Sequence, residues 1–374
     1  MPEKPLNIII SGGGTGGHVF PAIAIADALK NLEPQANILF VGATGKMEME
    51  KAPAAGYPIK GIPVRGFQRR LSLSLISFPF RLIISLIKSR SIIRRFKPGV
   101  VVGVGGYASG PLLKVAVNSG IPAVIQEQNS YPGVTNKLLA GKAERICVAY
   151  ENMEKYFPKD KILLYGNPVR KDILNTETKK QEAAAYFNLD TKHKTLLVTG
   201  GSLGARTINE SIHKYLQLFI DNGLQVIWQC GKNYFPEAAG LIPEVESKGI
   251  RIMEFISRMD LAYAIADLVV SRAGALSLSE LCIVGKPAVL IPSPNVAEDH
   301  QTHNAMALVK NKAAIMIRDS EAREKLGKTI IEIINDNVVL LKLSENIKKM
   351  AYTDAAERIA KEVLAIADKN RKNL

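Results

Sequence analysis

Short apolar runs recur along the chain, each followed by a turn and then by helical spacing. In the first half they are Ile8–Ile10, Ile38–Val41, Val100–Val102, Ala123–Ile125 and Ile146–Val148. Uninterrupted runs of this kind predict parallel strands covered on both faces. Their alternation with helices predicts a doubly wound α/β domain. The pattern restarts at Thr195–Val198 and continues through Gln225–Trp228, Arg251–Phe255, Leu268–Ser271 and Ala288–Ile291. This is a second α/β domain. Between the two, Pro158, Gly166, Asn167 and Pro168 precede a polar stretch from Asn175 to Glu182. The linker is therefore expected near Gly166–Arg170, with a first domain over 1–167 and a second over 168–353. From Asp354 onward the chain reads as a charged amphipathic helix. Two similar domains facing a cleft make a natural site for two substrates.

Composition narrows the picture. At 374 residues, 47% hydrophobic and 22% charged, the chain is long enough for two cores and too apolar for wholesale disorder. A formal net charge of +14 favours anionic partners, whether phosphates, acidic lipids or nucleic acid, without choosing among them. Cys147, Cys230 and Cys282 are widely spaced, with no metal-like pattern. They read as buried small residues in a reducing compartment. The first strand, Leu6–Ile10, runs straight into glycines and is not a signal peptide. No segment offers the ~20 apolar residues of a spanning helix. The nearest, Leu71 to Ile87, is broken by Pro79 and Arg81. A cytoplasmic protein resting on a membrane is expected.

Three Gly-rich turns sit between a strand and a helix. The first is Gly12-Gly13-Gly14-Thr15-Gly16-Gly17-His18, ahead of a helix expected to start near Pro21. Glycines let a backbone approach an anion, and a helix N-terminus adds free N–H groups and a positive dipole end. Gly12, Gly14 and Gly17 match the dinucleotide fingerprint, but the second strand closes on Gly42-Ala43-Thr44 with no acid for a ribose. A nicotinamide site is discounted and an anion site kept. His18 can act there as a general base or simply as a hydrogen-bonding side chain. The second turn, Gly103 to Pro111, should face the same crevice, and two such loops suit a diphosphate. The third, Gly200 to Arg206, repeats the theme in the second domain.

Polar clusters complete the inventory. Gln126-Glu127-Gln128-Asn129, with Thr135-Asn136-Lys137 downstream, suits hydroxyls and an acetamido group. A helix is expected from near Gly274, putting Glu280 about two turns in, where a carboxylate can accept both ribose hydroxyls. Asp299-His300-Gln301-Thr302-His303-Asn304 suits a polar sugar; no third ligand accompanies His300 and His303, so no metal site is expected. From Arg65 to Lys97, basic residues alternate with Leu, Ile and Phe and no acid intervenes. That is the composition of an interfacial helix on anionic lipid, or of a buried helix with a basic outer face.

Taken together, Gly13–Pro21, Gly105–Pro111, Glu127–Asn129, Gly166–Arg170, Gly200–Ser202 and Arg272–Ala275 resemble the MurG family of peptidoglycan glycosyltransferases, glycosyltransferase family 28, in order and over nearly the whole chain. The resemblance implies a GT-B fold, two Rossmann-like doubly wound domains separated by a cleft, with the C-terminal helix 354–374 returning to the first domain. It implies inverting transfer of GlcNAc from UDP-GlcNAc to the C4 hydroxyl of MurNAc in undecaprenyl-diphosphate-MurNAc-pentapeptide (lipid I), giving lipid II and UDP. No cofactor and no metal are implied, and no Asp-x-Asp motif is present.

By the family pattern Glu280 holds the ribose, and Ser202, Arg170 and the backbone of Gly274, Ala275 and Leu276 meet the donor diphosphate. The Phe255-Ile256 backbone reads uracil. Asn129 and Gln301 are placed at the GlcNAc, with Thr15, Gly16, Gly17 and His300 also on the donor side. The acceptor diphosphate falls to Gly13, Gly14, Gly105, Gly106, Tyr107 and Ser109. His18 is the favoured base and Glu127 the second. The chain departs from the pattern at Leu203 and His300, where glutamine is usual. Expected partners are the two substrates, an anionic membrane surface at the cytoplasmic face of the inner membrane, and cell-wall and division complex proteins, with no nucleic acid. Another lipid acceptor such as diacylglycerol is the competing reading.

Overall fold

The apolar runs become strands of two parallel sheets. The computed structural model describes residues 5–64, 74–201 and 203–372. The chain divides into Met1–Arg170 with Asp354–Leu374, and Lys171–Thr353. Pro168, Val169 and Arg170, assigned above to the second domain, thus sit with the first.

The first unit holds β1 (Asn7–Ser11), α1 (Gly16–Leu32), β2 (Asn37–Ala43), α2 (Glu48–Ala54), β3 (Ile59–Ile62), α3 (Ser74–Phe96), β4 (Val100–Gly103), α4 (Ser109–Asn118), β5 (Ala123–Glu127), α5 (Val134–Leu139), β6 (Arg145–Val148) and β7 (Ile162–Leu164). Its seven strands are ordered β3-β2-β1-β4-β5-β6-β7, all parallel. β1 pairs β2 from Asn7↔Asn37 to Ser11↔Val41, and β4 from Ile8↔Val100 to Ser11↔Gly103. The strand order therefore reverses between β1 and β4. In an open parallel sheet the loops leaving such a switch point line a crevice at the carboxyl edge. Both glycine loops of this unit leave from there.

The second unit holds α6 (Lys180–Phe187), β8 (Thr195–Thr199), α7 (Arg206–Asp221), β9 (Gln225–Gln229), α8 (Phe235–Ala239), α9 (Ile242–Val245), β10 (Ile250–Met253), α10 (Met259–Ile265), β11 (Leu268–Ser271), α11 (Ala275–Val284), β12 (Ala288–Leu290), α12 (His300–Lys310), β13 (Ile315–Met316), α13 (Asp319–Asn335) and α14 (Asn337–Lys348). Its sheet order, β10-β9-β8-β11-β12-β13, has the same logic, with the switch point between β8 and β11. The last helix, α15 (Ala355–Lys372), belongs to the first unit.

Three boundaries differ from the sequence reading. α1 starts at Gly16, not near Pro21, because the Thr15 carbonyl already accepts from His18 and Val19 N–H at 3.1 Å each. His18 consequently stands in the first turn of a helix. β10 ends at Met253, and Phe255 beyond it is exposed. The short strands β3, β7 and β13 lie at or next to sheet edges, where apolar runs are too brief to register.

Alternation across β1 divides its isoleucines. Ile8 and Ile10 face α1 and α15 in one layer; Ile9 joins Leu112, Ile125 and Ile146 in the other. α15 closes the first layer with Ile359, Ala360, Val363 and Ala367, all fully buried. Arg358 stacks 4.2 Å over the Tyr165 ring, and Arg145 pairs with Glu362 at 3.2 Å. All three cysteines are free and buried, and burial pushes the Cys230 thiol up to about 11 and Cys282 to about 12. They pack as small apolar groups rather than as nucleophiles.

Ile359→Ala opens a cavity between α1 and α15 and is expected to cost about 2–5 kcal/mol of stability. Chemical denaturation followed by far-UV circular dichroism measures it; a loss below about 1 kcal/mol would mean that α15 does not complete this core.

Candidate active site

In the first unit three loops meet at the carboxyl ends of β1, β4 and β5. Ser11 ends β1. Its carbonyl accepts from Val104 N–H at 2.7 Å and lies 2.7 Å from Ser109 Oγ, which is also 2.8 Å from the Gly105 carbonyl. Ser109 is fully buried. It ties two loops together and does not present a hydroxyl to a ligand, contrary to its expected place at the acceptor diphosphate. Gly105 and Gly106 both have left-handed backbones, φ +88 and +84. A Cβ on Gly106 would overlap the Gly13 carbonyl, so the two glycine loops touch backbone to backbone. A Cβ on Gly105 would fall 2.7 Å from Cδ2 and 2.9 Å from Nε2 of His18. The imidazole therefore rests on the second loop, while Nδ1 lies 3.3 Å from Thr15 Oγ1. Thr15 and Tyr107 are exposed beside it.

Gly14 also departs from expectation. Its N–H, one of the donors assigned to a diphosphate, points inward to the Glu48 carboxylate at 2.8 Å. Glu48 is only 1% exposed, and its other oxygen accepts from Ala43 N–H at 2.8 Å.

Glu127 ends β5 and is buried. Its Oε1 accepts from the backbone and side chain of Asn129 at 3.0 and 3.2 Å, and Oε2 from Gly133 N–H and Asn136 Nδ2 at 3.1 and 2.8 Å. Four donors on one carboxylate make it the organiser of the 128–136 loop. Gln126 and Gln128, offered above as sugar contacts, are equally inward: Gln126 donates to Asn167 at 3.0 Å and Gln128 to the Val104 carbonyl at 2.7 Å. Asn167 donates back to the Gln128 carbonyl at 3.0 Å. Of this cluster Asn129 is the half-buried member.

In the second unit the turn after β8 and the start of α11 flank the switch point. Gly204 has φ +78 and packs against the Cys230 carbonyl so closely that a Cβ would overlap it. Ser202 lies outside the described residues. Gln229 joins the turn to the β10 exit: its Nε2 donates to Thr199 Oγ1 at 3.2 Å and the Gly201 carbonyl at 3.0 Å, and its Oε1 accepts from Ile256 N–H at 2.9 Å. The Ile256 N–H is thus held internally. Gly274 caps α11 with extended backbone, setting Ala275 and Leu276 in the first helical turn. Arg272 is spent on structure, donating to the Ile291 and Pro292 carbonyls at 3.1 and 3.2 Å and to Asp319 at 2.5 Å. His300 and Gln301 open α12, and Gln301 Oε1 accepts from Ser293 N–H at 2.9 Å. The preceding Glu298 and Asp299 both have left-handed backbones, φ 53 and 51, a conformation costly for such residues.

Residues 8–148 match the glycosyltransferase family 28 N-terminal domain, and residues 195–359 the C-terminal domain. A protein of Parabacteroides distasonis named UDP-N-acetylglucosamine–N-acetylmuramyl-(pentapeptide) pyrophosphoryl-undecaprenol N-acetylglucosamine transferase is 56% identical, covering 98% of this chain and all of its own. The protein of the same name from Phocaeicola vulgatus is 55% identical over 99% of each chain. The chain belongs to glycosyltransferase family 28. Among solved structures, MurG of Acinetobacter baumannii superposes with a TM-score of 0.76 at 27% identity, covering 96% of this chain and all of that one. A UDP-N-acetylglucosamine 2-epimerase shares the fold at TM-score 0.64 and 16% identity. The α/β class with two parallel-sheet units is that of the family.

Within this family 28 chain three residues escaped the sequence reading. Tyr263, buried on α10, donates its hydroxyl to Glu280 Oε2 at 3.1 Å and so orients the carboxylate placed above at a ribose. Gln229 and Glu48 each hold a loop amide. Their partners lie far off in sequence, and a lone Tyr, Gln or Glu in an ordinary strand or helix carries no local mark.

Gly106→Ala forces a Cβ into the Gly13 carbonyl at a left-handed position. Expected is a loss of about 1–3 kcal/mol in stability together with a large fall in turnover, read by thermal unfolding and by sugar-transfer assay. A variant with wild-type values in both would refute the close contact of the two loops.

Proposed function

We propose that this family 28 enzyme transfers GlcNAc from UDP-GlcNAc to the C4 hydroxyl of MurNAc in undecaprenyl-diphosphate-MurNAc-pentapeptide, forming lipid II and UDP. The observation that carries this reading is end-to-end similarity, at 52–56% identity, to proteins named for that transfer. The site geometry fits it. The first unit receives the acceptor and the second the donor. His18 removes the proton from the C4 hydroxyl as that oxygen attacks the anomeric carbon. The bond from the sugar to the UDP oxygen breaks, UDP departs with the electron pair, and an α donor yields a β linkage. Developing charge on UDP is met by Arg170 and the α11 N-terminus. Glu280, oriented by Tyr263, takes the ribose. His18 is preferred to Glu127 as base because the Glu127 oxygens are occupied by four donors, whereas the imidazole edge sits at the meeting of two loops.

α3 supports a surface that docks on the inner leaflet. It buries Ser85 and Ser89 together with Ile93, while Phe80, Ile83, Ile84 and Ile87 are exposed. These four fall on one helical stripe. Lys88, Arg90, Arg94 and Arg95 are exposed on the same helix. An apolar stripe among cations suits an anionic lipid surface. Among the described residues no helix is long and apolar enough to cross a membrane. Arg65, Arg69, Arg70, Leu71 and Leu73 of the same basic segment lie outside the described residues.

The direct test is UDP release from UDP-GlcNAc with and without the lipid-diphosphate-MurNAc-pentapeptide. Acceptor-dependent release is expected; release with diacylglycerol instead would keep the family and change the acceptor. His18→Ala is expected to lower kcat about 10²–10⁴-fold, and near-wild-type turnover would exclude it as base. For α3, the pair Ile83→Ser and Ile87→Ser should weaken sedimentation with phosphatidylglycerol vesicles about tenfold or more. Unchanged binding would remove this stripe from the membrane contact.

A further inference from the structure

The dinucleotide-type loop of the first unit lacks an acid at the end of β2, yet an acid reaches the loop from elsewhere. Glu48 stands at the start of α2 and turns its side chain beneath the Gly12–Gly17 loop. Its two oxygens accept from Gly14 N–H and Ala43 N–H, 2.8 Å each. Gly13 and Gly42 leave it room, since a Cβ on either would overlap the Glu48 side chain. The loop it holds is in turn pressed against Gly106, and the neighbouring Gly105 seats the His18 ring.

We propose that Glu48 is a positioning residue for the transfer reaction: its buried carboxylate fills the inward side of the first glycine loop, as an internal anion, and fixes the path that carries Thr15 and His18. The proposal rests on the functional reading above. A buried carboxylate needs strong donors, and the two amides provide charge-assisted hydrogen bonds. In exchange the loop loses Gly14 N–H as a phosphate ligand, and a second anion at Gly13-Gly14 would meet like charge. The Gly14 amide is therefore committed inward, and any phosphate at this loop is left to its other amides. Small misplacements of a catalytic group cost as much as a hundredfold in rate, so a side chain that never touches substrate can still govern turnover.

Glu48→Gln keeps the shape but turns an amide NH2 toward one of the two N–H donors. Expected is a fall in kcat of about tenfold to a hundredfold, larger than the change in KM for UDP-GlcNAc, because only Thr15, Gly16 and Gly17 of the donor groups ride on this loop. A merely structural role would lower the active fraction and leave the folded molecules alone. Imidazole carbon–proton NMR separates the two: His18 is the one histidine of the first unit, and the other four are His193, His213, His300 and His303. The His18 resonance should move in folded Glu48→Gln while the four stay in place. An unmoved His18 resonance and wild-type kcat would overturn the proposal. A measurement on the unaltered protein guards against a variant that fails to fold. The Gly14 amide should be protected from hydrogen exchange without ligand and unshifted by inorganic pyrophosphate; rapid exchange, or a pyrophosphate-induced shift there, would equally overturn it. Should the wild-type enzyme release no UDP, the functional reading falls, while the imidazole and amide measurements still decide whether Glu48 sets the loop.

Discussion

Backbone-to-backbone contact between Gly13 and Gly106 is the constraint on which the first unit's site depends. Two loops that leave adjacent parallel strands begin one interstrand spacing apart, near 4.8 Å. Side chains at the point of contact would force them apart. With glycine at both, and left-handed backbones at Gly105 and Gly106, the loops close on each other and the Gly105 backbone becomes the floor under His18. Ser109 then locks the pair, its hydroxyl shared between the Ser11 and Gly105 carbonyls. The density of glycines in this region thus reflects contacts among loops as much as access for a ligand.

The second unit solves a similar problem with side chains. Gly204 and Gly231 again meet, at the carboxyl ends of β8 and β9, but Gln229 and Arg272 carry the organisation. Arg272 is the instructive case. Its guanidinium binds two carbonyls and Asp319, and Asp319 also accepts from Thr207 at 3.0 Å. A cation so committed shapes the loops around a diphosphate without being its principal counter-charge. On the proposed reading that task falls to the helix start at Ala275 in this unit and to Arg170 of the first.

The long strands and the two-domain α/β class were largely legible in the sequence because buried parallel strands are written as continuous apolar runs such as Ile8–Ile10 and Val100–Val102. The shortest edge strands were not, because a run such as Ile315–Met316 carries too little apolar length to stand out. The loops that surround the site were legible as glycine clusters. The direction in which each polar side chain points was not. Ser109, Gln126 and Gln128 have the right chemistry for a ligand and face inward, since a strand or helix end can turn a polar group toward either water or the next loop. Glu48, Tyr263 and Gln229 show the reverse failure: Gly14, Glu280 and Ile256, which they hold, are 34, 17 and 27 residues away, and only the fold brings them together.

These inward polar groups explain how one fold separates two kinds of phosphate-handling loop. A glycine loop with open amides attracts any anion, including nucleotides meant for the other unit. An internal carboxylate removes that attraction without altering the backbone path, because it satisfies the same N–H from below. At 4 Å in an effective dielectric of about 20, a like charge costs a few kcal/mol, enough to turn a cradle into a platform. Glu48 beneath the first loop therefore makes the two switch points chemically different although their strand orders are alike. On the proposed reading, the second unit keeps its helix start for the leaving diphosphate, and the first unit keeps an anion-filled loop that seats the His18 ring.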